Sequence, residues 1–367
     1  MLFQSIPGRK AVKQRLMKGV LAGKIPHAQL FTAHEGSGGL AMAIAYAQFL
    51  FCKDRGEEDS CGKCSSCSKI KKLIHPDLHF SFPFAASKKE DSAQFFLPQW
   101  RELLERNPFF TLENWMEELS IENKMVHIPV SECRQIIKDL SLKAYEGSYQ
   151  ILILWLPEFL RESANVLLKL LEEPSEDTLF ILVTENRESI LPTLLSRTQE
   201  IQIPQASMED MEAYFTSRFG TEPSAAQTIA FLSEGNFSRA MDLVQGTADE
   251  FRETYLEWIE ALREGNGLKL VDWVENFNGK AKSQLGKEDK KNFILYSIKM
   301  IKSQFFSRWE KGKSFGDIEK SQIQYFEQGI NELEKAIYHL DRNSNPKILF
   351  LDVSLQLSAL IRAGKFL

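Results

Sequence analysis

Four cysteines form the most specific chemical pattern in this sequence. Cys52, Cys61, Cys64 and Cys67 fall within sixteen residues, and the last three are separated by two-residue gaps. Such gaps let the backbone curl around one ion, and four thiolates are the ligand set of a closed tetrahedral zinc site. The pattern therefore predicts a structural Zn²⁺ bound by these four residues. An iron–sulfur cluster and a set of unligated surface thiols are the alternatives that the spacing leaves open.

A glycine-rich loop at residues 35–39 is the second such pattern. A phosphate-binding loop has the form G-x-x-x-x-G-K-[ST], in which the Lys meets the terminal phosphates and the hydroxyl holds Mg²⁺. The matching octet here begins at Ala33, with Gly39 at the lysine position and Leu40 at the hydroxyl position. The loop could still bind an anion at a helix N-terminus, but hydrolysis is not expected. A glycine turn without any nucleotide role is the alternative. The residues of this degenerate binding loop are Gly36, Ser37, Gly38 and Gly39.

The strand that should carry catalytic acids is degenerate as well. An ATPase with such a loop ends a central strand with acidic residues that hold magnesium and orient water. The apolar run 149–156 is the candidate strand, with Leu154 and Trp155 at its acidic positions and Glu158 several residues late. Productive ATP binding is therefore not expected.

Strand and helix patterns alternate around these residues. A short strand at 29–32 precedes the glycine loop, an apolar helix at 40–51 follows it, and further buried strands are predicted at 149–156 and 178–183. Strands that alternate with helices predict an α/β class with a parallel sheet, which here extends to about residue 203.

The chain length of 367 residues is typical of two or three domains. We predict an α/β domain at 1–204, which contains the cysteine cluster at 52–67 and an insertion at 80–125. A small helical domain is predicted at 205–247. An all-helical domain is predicted at 248–367, where no strand pattern remains.

The composition limits the possible classes of function. The net charge is −5, with 43% hydrophobic and 26% charged residues, which is typical of a globular protein and excludes disorder as the main state. Mild acidity argues against a stand-alone nucleic-acid binder. Lysine-rich segments at 69–72 and 280–302 could face DNA, although a solvated helix face is the simpler interpretation. No apolar run is long enough for a membrane span and no signal peptide is evident, so we expect a cytoplasmic protein without a membrane partner.

Five short segments together carry a family resemblance. They resemble the clamp-loader AAA+ subunits of bacterial DNA polymerase III, and the likeness covers most of 1–79 and 126–245. Thr198 stands where that family's SRC motif usually has Cys. The segments are 27–31, the cysteine cluster with 75–77, 165–174, 191–198 and 235–240.

Within this family, the chain is similar to the delta-prime subunits, which commonly have a broken nucleotide site. The missing Lys and hydroxyl at Gly39 and Leu40 decide this interpretation. The resemblance implies an AAA+ sheet domain of the P-loop type, a small helical lid and a C-terminal helical collar. It also implies a hetero-oligomer with gamma/tau and delta subunits that loads a sliding clamp on primer–template DNA during DNA replication. The chain would then have no activity of its own but would belong to the DNA polymerase III holoenzyme, a DNA-directed DNA polymerase.

The same resemblance implies roles for two arginines. Arg197, in the SRC-like motif, is expected to be an arginine finger for the ATP of a neighbouring gamma/tau subunit, and such fingers raise rates about 10³–10⁵-fold. An arginine that interacts with a helix C-terminus is the alternative. Arg239 stands at the sensor 2 position, where a structural ion pair is the alternative. Two other functions stay open, namely an ATP-hydrolysing gamma/tau-like subunit and a zinc-containing DNA-binding scaffold with a retired AAA+ fold.

Overall fold

The computed structural model describes residues 1–85, 92–120, 125–244, 251–279, 286–310, 320–342 and 344–363. Contacts divide the chain into two compact units, Met1–Met241 and Asp242–Leu367. The further boundary expected at residue 204 lies inside the first unit and stays a prediction.

A parallel sheet forms the centre of the first unit and confirms the predicted α/β class. Neighbouring strands are parallel and lie in the order β2-β3-β4-β1-β5. In register, Leu30 in the middle of β1 lies opposite Leu182 of β4 and Glu200 of β5. The carboxyl ends of parallel strands meet at one edge, so the segments that follow β1, β3 and β4 lie at the same edge. The strands are β1 (Ala28–Ala33), β2 (Leu78–Ser81), β3 (Gln150–Trp155), β4 (Thr178–Thr184) and β5 (Gln199–Ile203).

Helices surround this sheet. The helix after the glycine loop, α2, is apolar on all sides and is buried along its whole length, as such a composition requires. A core cluster joins the sheet to α6, α7 and α8, and it includes Cys133, which is fully buried. The helices that lie in the first unit or begin there are α1 (Lys10–Leu21), α2 (Gly39–Phe51), α3 (Ser65–Lys71), α4 (Ala93–Arg106), α5 (Leu112–Glu118), α6 (Val130–Leu140), α7 (Ala164–Glu172), α8 (Pro192–Leu195), α9 (Met208–Phe219), α10 (Pro223–Ser233) and α11 (Phe237–Val244).

The second unit is helical, as predicted. Its core is rich in aromatic rings, and the indole N–H of buried Trp258 donates to Ser354 Oγ at 2.9 Å. Of the predicted lysine-rich segment, Lys280 and Lys282 lie outside the described residues. Among the residues that the structure describes, no helix has the length and apolar character needed to cross a bilayer. The helices of this unit are α12 (Arg252–Glu264), α13 (Gly267–Gly279), α14 (Lys287–Glu310), α15 (Lys320–Asp341) and α16 (Pro346–Arg362).

Candidate metal centre and degenerate phosphate loop

The four predicted cysteine ligands converge just beyond the end of α2. Their Sγ atoms all lie within 4.8 Å of one another, and the Sγ atoms of Cys61 and Cys67 are 4.0 Å apart. Four sulfurs held about 2.3 Å from one zinc would form a tetrahedron with edges of about 3.8 Å. The number, type and spacing of these donors therefore fit a tetrahedral metal ion.

Backbone N–H groups point at the sulfurs of this cluster. The N–H of Cys61 donates to Cys52 Sγ at 3.2 Å, and the N–H of Cys64 donates to Cys61 Sγ at 3.3 Å. Such bonds stabilise the thiolate form that binds metals. Burial opposes ionisation of Cys64, but N–H groups of Cys67 and Lys53 and the neighbouring thiols lower its pKa to about 6. Burial and the neighbouring thiols raise the pKa of Cys67.

The loop that carries the cysteines also holds the N-terminal segment of the chain. The carboxylate of Asp59 accepts the N–H of Phe3 at 3.2 Å and that of Gln4 at 2.9 Å. The same carboxylate accepts the N–H of Ser60 at 2.7 Å, directly before Cys61. Sequence reasoning missed this contact, because a single Asp in a polar loop gives no sign of its partner.

The glycine loop has the predicted strand–loop–helix geometry. Gly36 and Gly38 both have positive φ values, 63° and 90°, which favour glycine. Ser37 is fully buried, and its hydroxyl and its N–H both donate to the carbonyl of His34. At Gly39, a Cβ atom would lie 2.7 Å from the Cβ of Ala33. The residue at the lysine position therefore has no room for any side chain.

Side chains of the chain itself fill the space against this loop. A Cβ atom on Gly38 would lie 2.8 Å from the ring of Phe109, and one on Gly36 would lie 2.0 Å from Asn236 Oδ1. The N–H of Phe237 donates to the carbonyl of Gly36 at 2.8 Å. The rings of Phe109 and Phe237 stack with centroids 4.6 Å apart. The loop is thus an internal packing surface.

Arg9 is a buried cation beside the loop that sequence reasoning missed. Its guanidinium donates to the carbonyls of Pro7 at 2.7 Å and Pro204 at 3.0 Å, and also to the carbonyl of Ser37. It also lies over the ring of Phe237, 5.2 Å from the centroid. Burial lowers the pKa of Arg9 to about 10, so the group stays charged at neutral pH.

The end of β3 is covered in the same manner. Trp155, at an expected acidic position, is buried against the rings of Phe110 and Trp100, at centroid distances of 5.0 and 6.4 Å. Glu158 accepts a hydrogen bond from Thr184 Oγ1 at 2.9 Å, and burial raises its pKa. Burial and the neighbouring carboxylates raise the pKa of Glu185, directly after β4, to about 8.

Arg197 lies just beyond α8 with its side chain 30% exposed. Its Nε donates to Glu172 Oε1 at 2.7 Å, and its Nη1 donates to the carbonyl of Thr193 at 2.8 Å. Arg239 is exposed in the first turn of α11, where its N–H donates to Asn236 Oδ1 at 3.0 Å. The roles of both arginines stay predictions.

Comparisons with known proteins identify the family of this chain. A family model described as DNA polymerase III, delta subunit, matches residues 8–207. The DNA polymerase III subunit delta' of Bacillus subtilis is 25% identical over 282 residues, covering 75% of this chain and 72% of that protein. Subunit delta' of Yersinia pestis is 30% identical over 194 residues, covering 52% and 45%. Subunit tau of Escherichia coli is 23% identical over 288 residues, covering 76% of this chain but 38% of that protein. The chain therefore belongs to the DNA polymerase III delta-subunit family, as a delta-prime-like clamp-loader subunit.

Proposed function

We propose that this chain is a non-catalytic subunit of a DNA polymerase III clamp loader that helps place a sliding clamp on primed DNA. The observation that carries the proposal is the glycine loop, which lacks the Lys and the hydroxyl and is covered by Phe109 and Asn236. A chain with such a loop contributes to ATP hydrolysis only through a neighbouring subunit. The family and its relatives support gamma/tau and delta subunits as partners.

Arg197 is the residue that we propose to act on the neighbouring ATP. A guanidinium is always charged and can bind two phosphate oxygens at once. The side chain of Arg197 is partly exposed although it pairs with Glu172, so it can leave that carboxylate and bind a phosphate instead. In the transition state it would stabilise the charge on the transferred γ-phosphoryl group.

The test uses a loader reconstituted from this chain with gamma/tau and delta subunits. Arg197→Ala is expected to slow hydrolysis at the site it serves by about 10³-fold or more, so that clamp- and DNA-stimulated turnover falls by the share of that site. Arg187→Ala is the matched control, because Arg187 is also exposed and paired, with Glu200 at 2.9 Å. Equal turnover in both variants would make Arg197 structural. Failure of the wild-type chain to assemble would favour the zinc-containing DNA-binding scaffold, and turnover by the isolated chain would favour a gamma/tau-like ATPase.

We also propose that the metal held by the four cysteines is a structural Zn²⁺. Four thiolates leave no open coordination position, so the ion would fix the fold of the loop and take no part in catalysis. Metal analysis of the purified chain should find about one zinc per chain. Cys64→Ser should lower that content, whereas Cys133→Ser, in the core, should not. Iron in the wild-type protein would favour an iron–sulfur cluster instead.

The second unit is proposed as the collar through which the subunits associate. Large apolar side chains remain exposed on its helices, including Leu268 and Ile348. Such side chains are often covered in an assembly. Leu268→Glu combined with Ile348→Glu should weaken assembly with gamma/tau and delta, measured by size-exclusion chromatography, while the isolated chain keeps its melting temperature.

A further inference from the structure

The insertion at 80–125 packs on the sheet through its aromatic residues. The ring of Trp100 lies 5.2 Å from that of Phe80 in β2, and Phe110 packs on Trp155 at the end of β3. The indole N–H of Trp115 donates to the carbonyl of Pro83 at 2.9 Å. These contacts fix the two helices α4 and α5, and therefore also the turn between them.

The turn between α4 and α5 reaches both the glycine loop and the helices that follow the sheet. Phe109 lies on this turn, is 2% exposed and contacts Gly38. Its ring stacks on Phe237 of α11 and meets Tyr214 of α9 edge-to-face at 6.0 Å. One side chain thus touches three parts of the first unit.

Polar contacts accompany this aromatic contact. Asn107 Nδ2 donates to Ser238 Oγ at 3.3 Å, and Ser238 Oγ donates to Asn114 Oδ1 at 2.8 Å. The N–H of Phe237, one residue before Ser238, donates to the carbonyl of Gly36 in the glycine loop. The first residues of α11 are therefore held between the insertion and the glycine loop.

In a phosphate loop with a bound nucleotide, the ligand lies against the backbone of the loop and the N-terminus of its helix. Here the position next to Gly36 and Gly38 is taken by Asn236 and Phe109. We propose that the insertion replaces a nucleotide: Phe109 and Asn107 hold α9 and α11 against the glycine loop, so that this part of the chain keeps its conformation without a ligand. The proposal concerns the isolated chain and is independent of the clamp-loader role.

The experiment compares amide hydrogen exchange in the full-length wild type and in Phe109→Ala, both without nucleotide. The variant removes the ring that joins the three parts, so exchange in α9 and α11 should rise by about tenfold or more. Phe95→Ala is the matched control, because Phe95 lies in the same insertion but is 65% exposed. It should leave the exchange of both helices unchanged. Equal exchange in the wild type and Phe109→Ala would overturn the proposal.

A second measurement keeps the test valid if Phe109→Ala does not fold. Wild-type protein with MgATP should show neither protection of residues 36–41 nor a rise in melting temperature. Protection of that loop by MgATP would show that the ring gives way to a ligand, and it would overturn the proposal. Asn107→Ala keeps the ring of Phe109 but removes two bonds, the one to Ser238 Oγ and the one that the N–H of Phe109 donates to Asn107 Oδ1, and it should raise exchange in α11 by about threefold. No change in this variant would count against the proposal.

Discussion

Placing a lysine at Gly39 should destabilise the protein and should not create nucleotide binding. The first side-chain atom would lie 2.7 Å from Ala33 Cβ and 3.1 Å from Val183 Cγ1, and neither neighbour is the far end of a flexible side chain. Overpacking of this kind costs about 1–3 kcal/mol. For a unit of this size, that cost lowers the melting temperature by about 2–12 °C. The assay is urea and thermal unfolding of Gly39→Lys, together with titration by a fluorescent ATP analogue.

Gly267→Lys is the matched control for this variant. Both glycines are the first residue of a helix, but a Cβ atom on Gly267 would meet nothing within 4 Å. The control should therefore leave the free energy of unfolding nearly unchanged. The double variant Gly39→Lys with Leu40→Thr restores both lost residue types and should still not bind ATP, because Phe109 remains against the loop. Tight binding of MgATP by the double variant, or wild-type stability of Gly39→Lys, would refute this reasoning.

Three further predictions concern stability, pH and metal. Burial opposes ionisation of Asp77, but N–H donors at 145–147 hold its pKa below the usual value, so the wild type should lose stability as pH falls through that pKa. Asp77→Asn should weaken this acid dependence and cost about 1–3 kcal/mol at neutral pH, measured by melting between pH 2 and 7. The pKa of Glu185 is raised from 4.5 to about 8, so stability should fall as pH rises through this range. Glu185→Gln should remove that dependence and melt at a higher temperature than the wild type at pH 8. Chelation of the proposed Zn²⁺ should speed amide exchange at Phe3 and Gln4, whose N–H groups donate to the carboxylate of Asp59 in the cysteine loop. Unchanged exchange would show that this contact does not depend on the metal.

The strands that the sequence predicted well are the ones buried on both faces. Runs at 149–156 and 178–183 are continuously apolar, and the structure places β3 and β4 there within two residues. The edge strand β2 was missed, because its four residues Leu78–Ser81 are only half buried in the middle and Pro83 follows closely. An edge strand needs fewer apolar residues, so the pattern of a buried strand does not find it.

The start of α4 shows why local rules failed in the insertion. Pro98 removes a backbone donor, and by local rules a proline usually ends a helix, so a helix that runs through residue 98 is not expected from the sequence. In the structure α4 begins at Ala93, because the Ser92 hydroxyl accepts the N–H of Phe95 and caps the helix. Packing of Trp100 and Leu97 in the core then stabilises a helix that contains the proline.

The two parts of the candidate site differ in how far apart their residues lie in the sequence. The cysteine cluster could be predicted, since all four candidate ligands lie within one short segment. The residues packed around the glycine loop could not be predicted, because their contacts span long stretches of sequence. Arg9 bonds to Pro204 across 195 residues, and Asn107 bonds to Ser238 across 131 residues. No periodicity or spacing connects residues at such separations, and each is unremarkable in its own segment.

Loss of the phosphate-binding residues and loss of the space for a phosphate are two separate changes in this chain. The first is visible in the sequence at Gly39 and Leu40, and the second only in the packing of Phe109 against Gly38. Under the proposed function, either change alone would prevent productive ATP binding. Once one of them is present, ATP binding no longer requires the chain to keep the other feature. A relative that uses its loop to bind ATP must, in contrast, keep that space open. We therefore expect that no chain of this family combines an intact Lys–Ser/Thr pair with an aromatic residue packed on the second glycine of the loop. A relative that has both and hydrolyses ATP would show that such a ring can move aside.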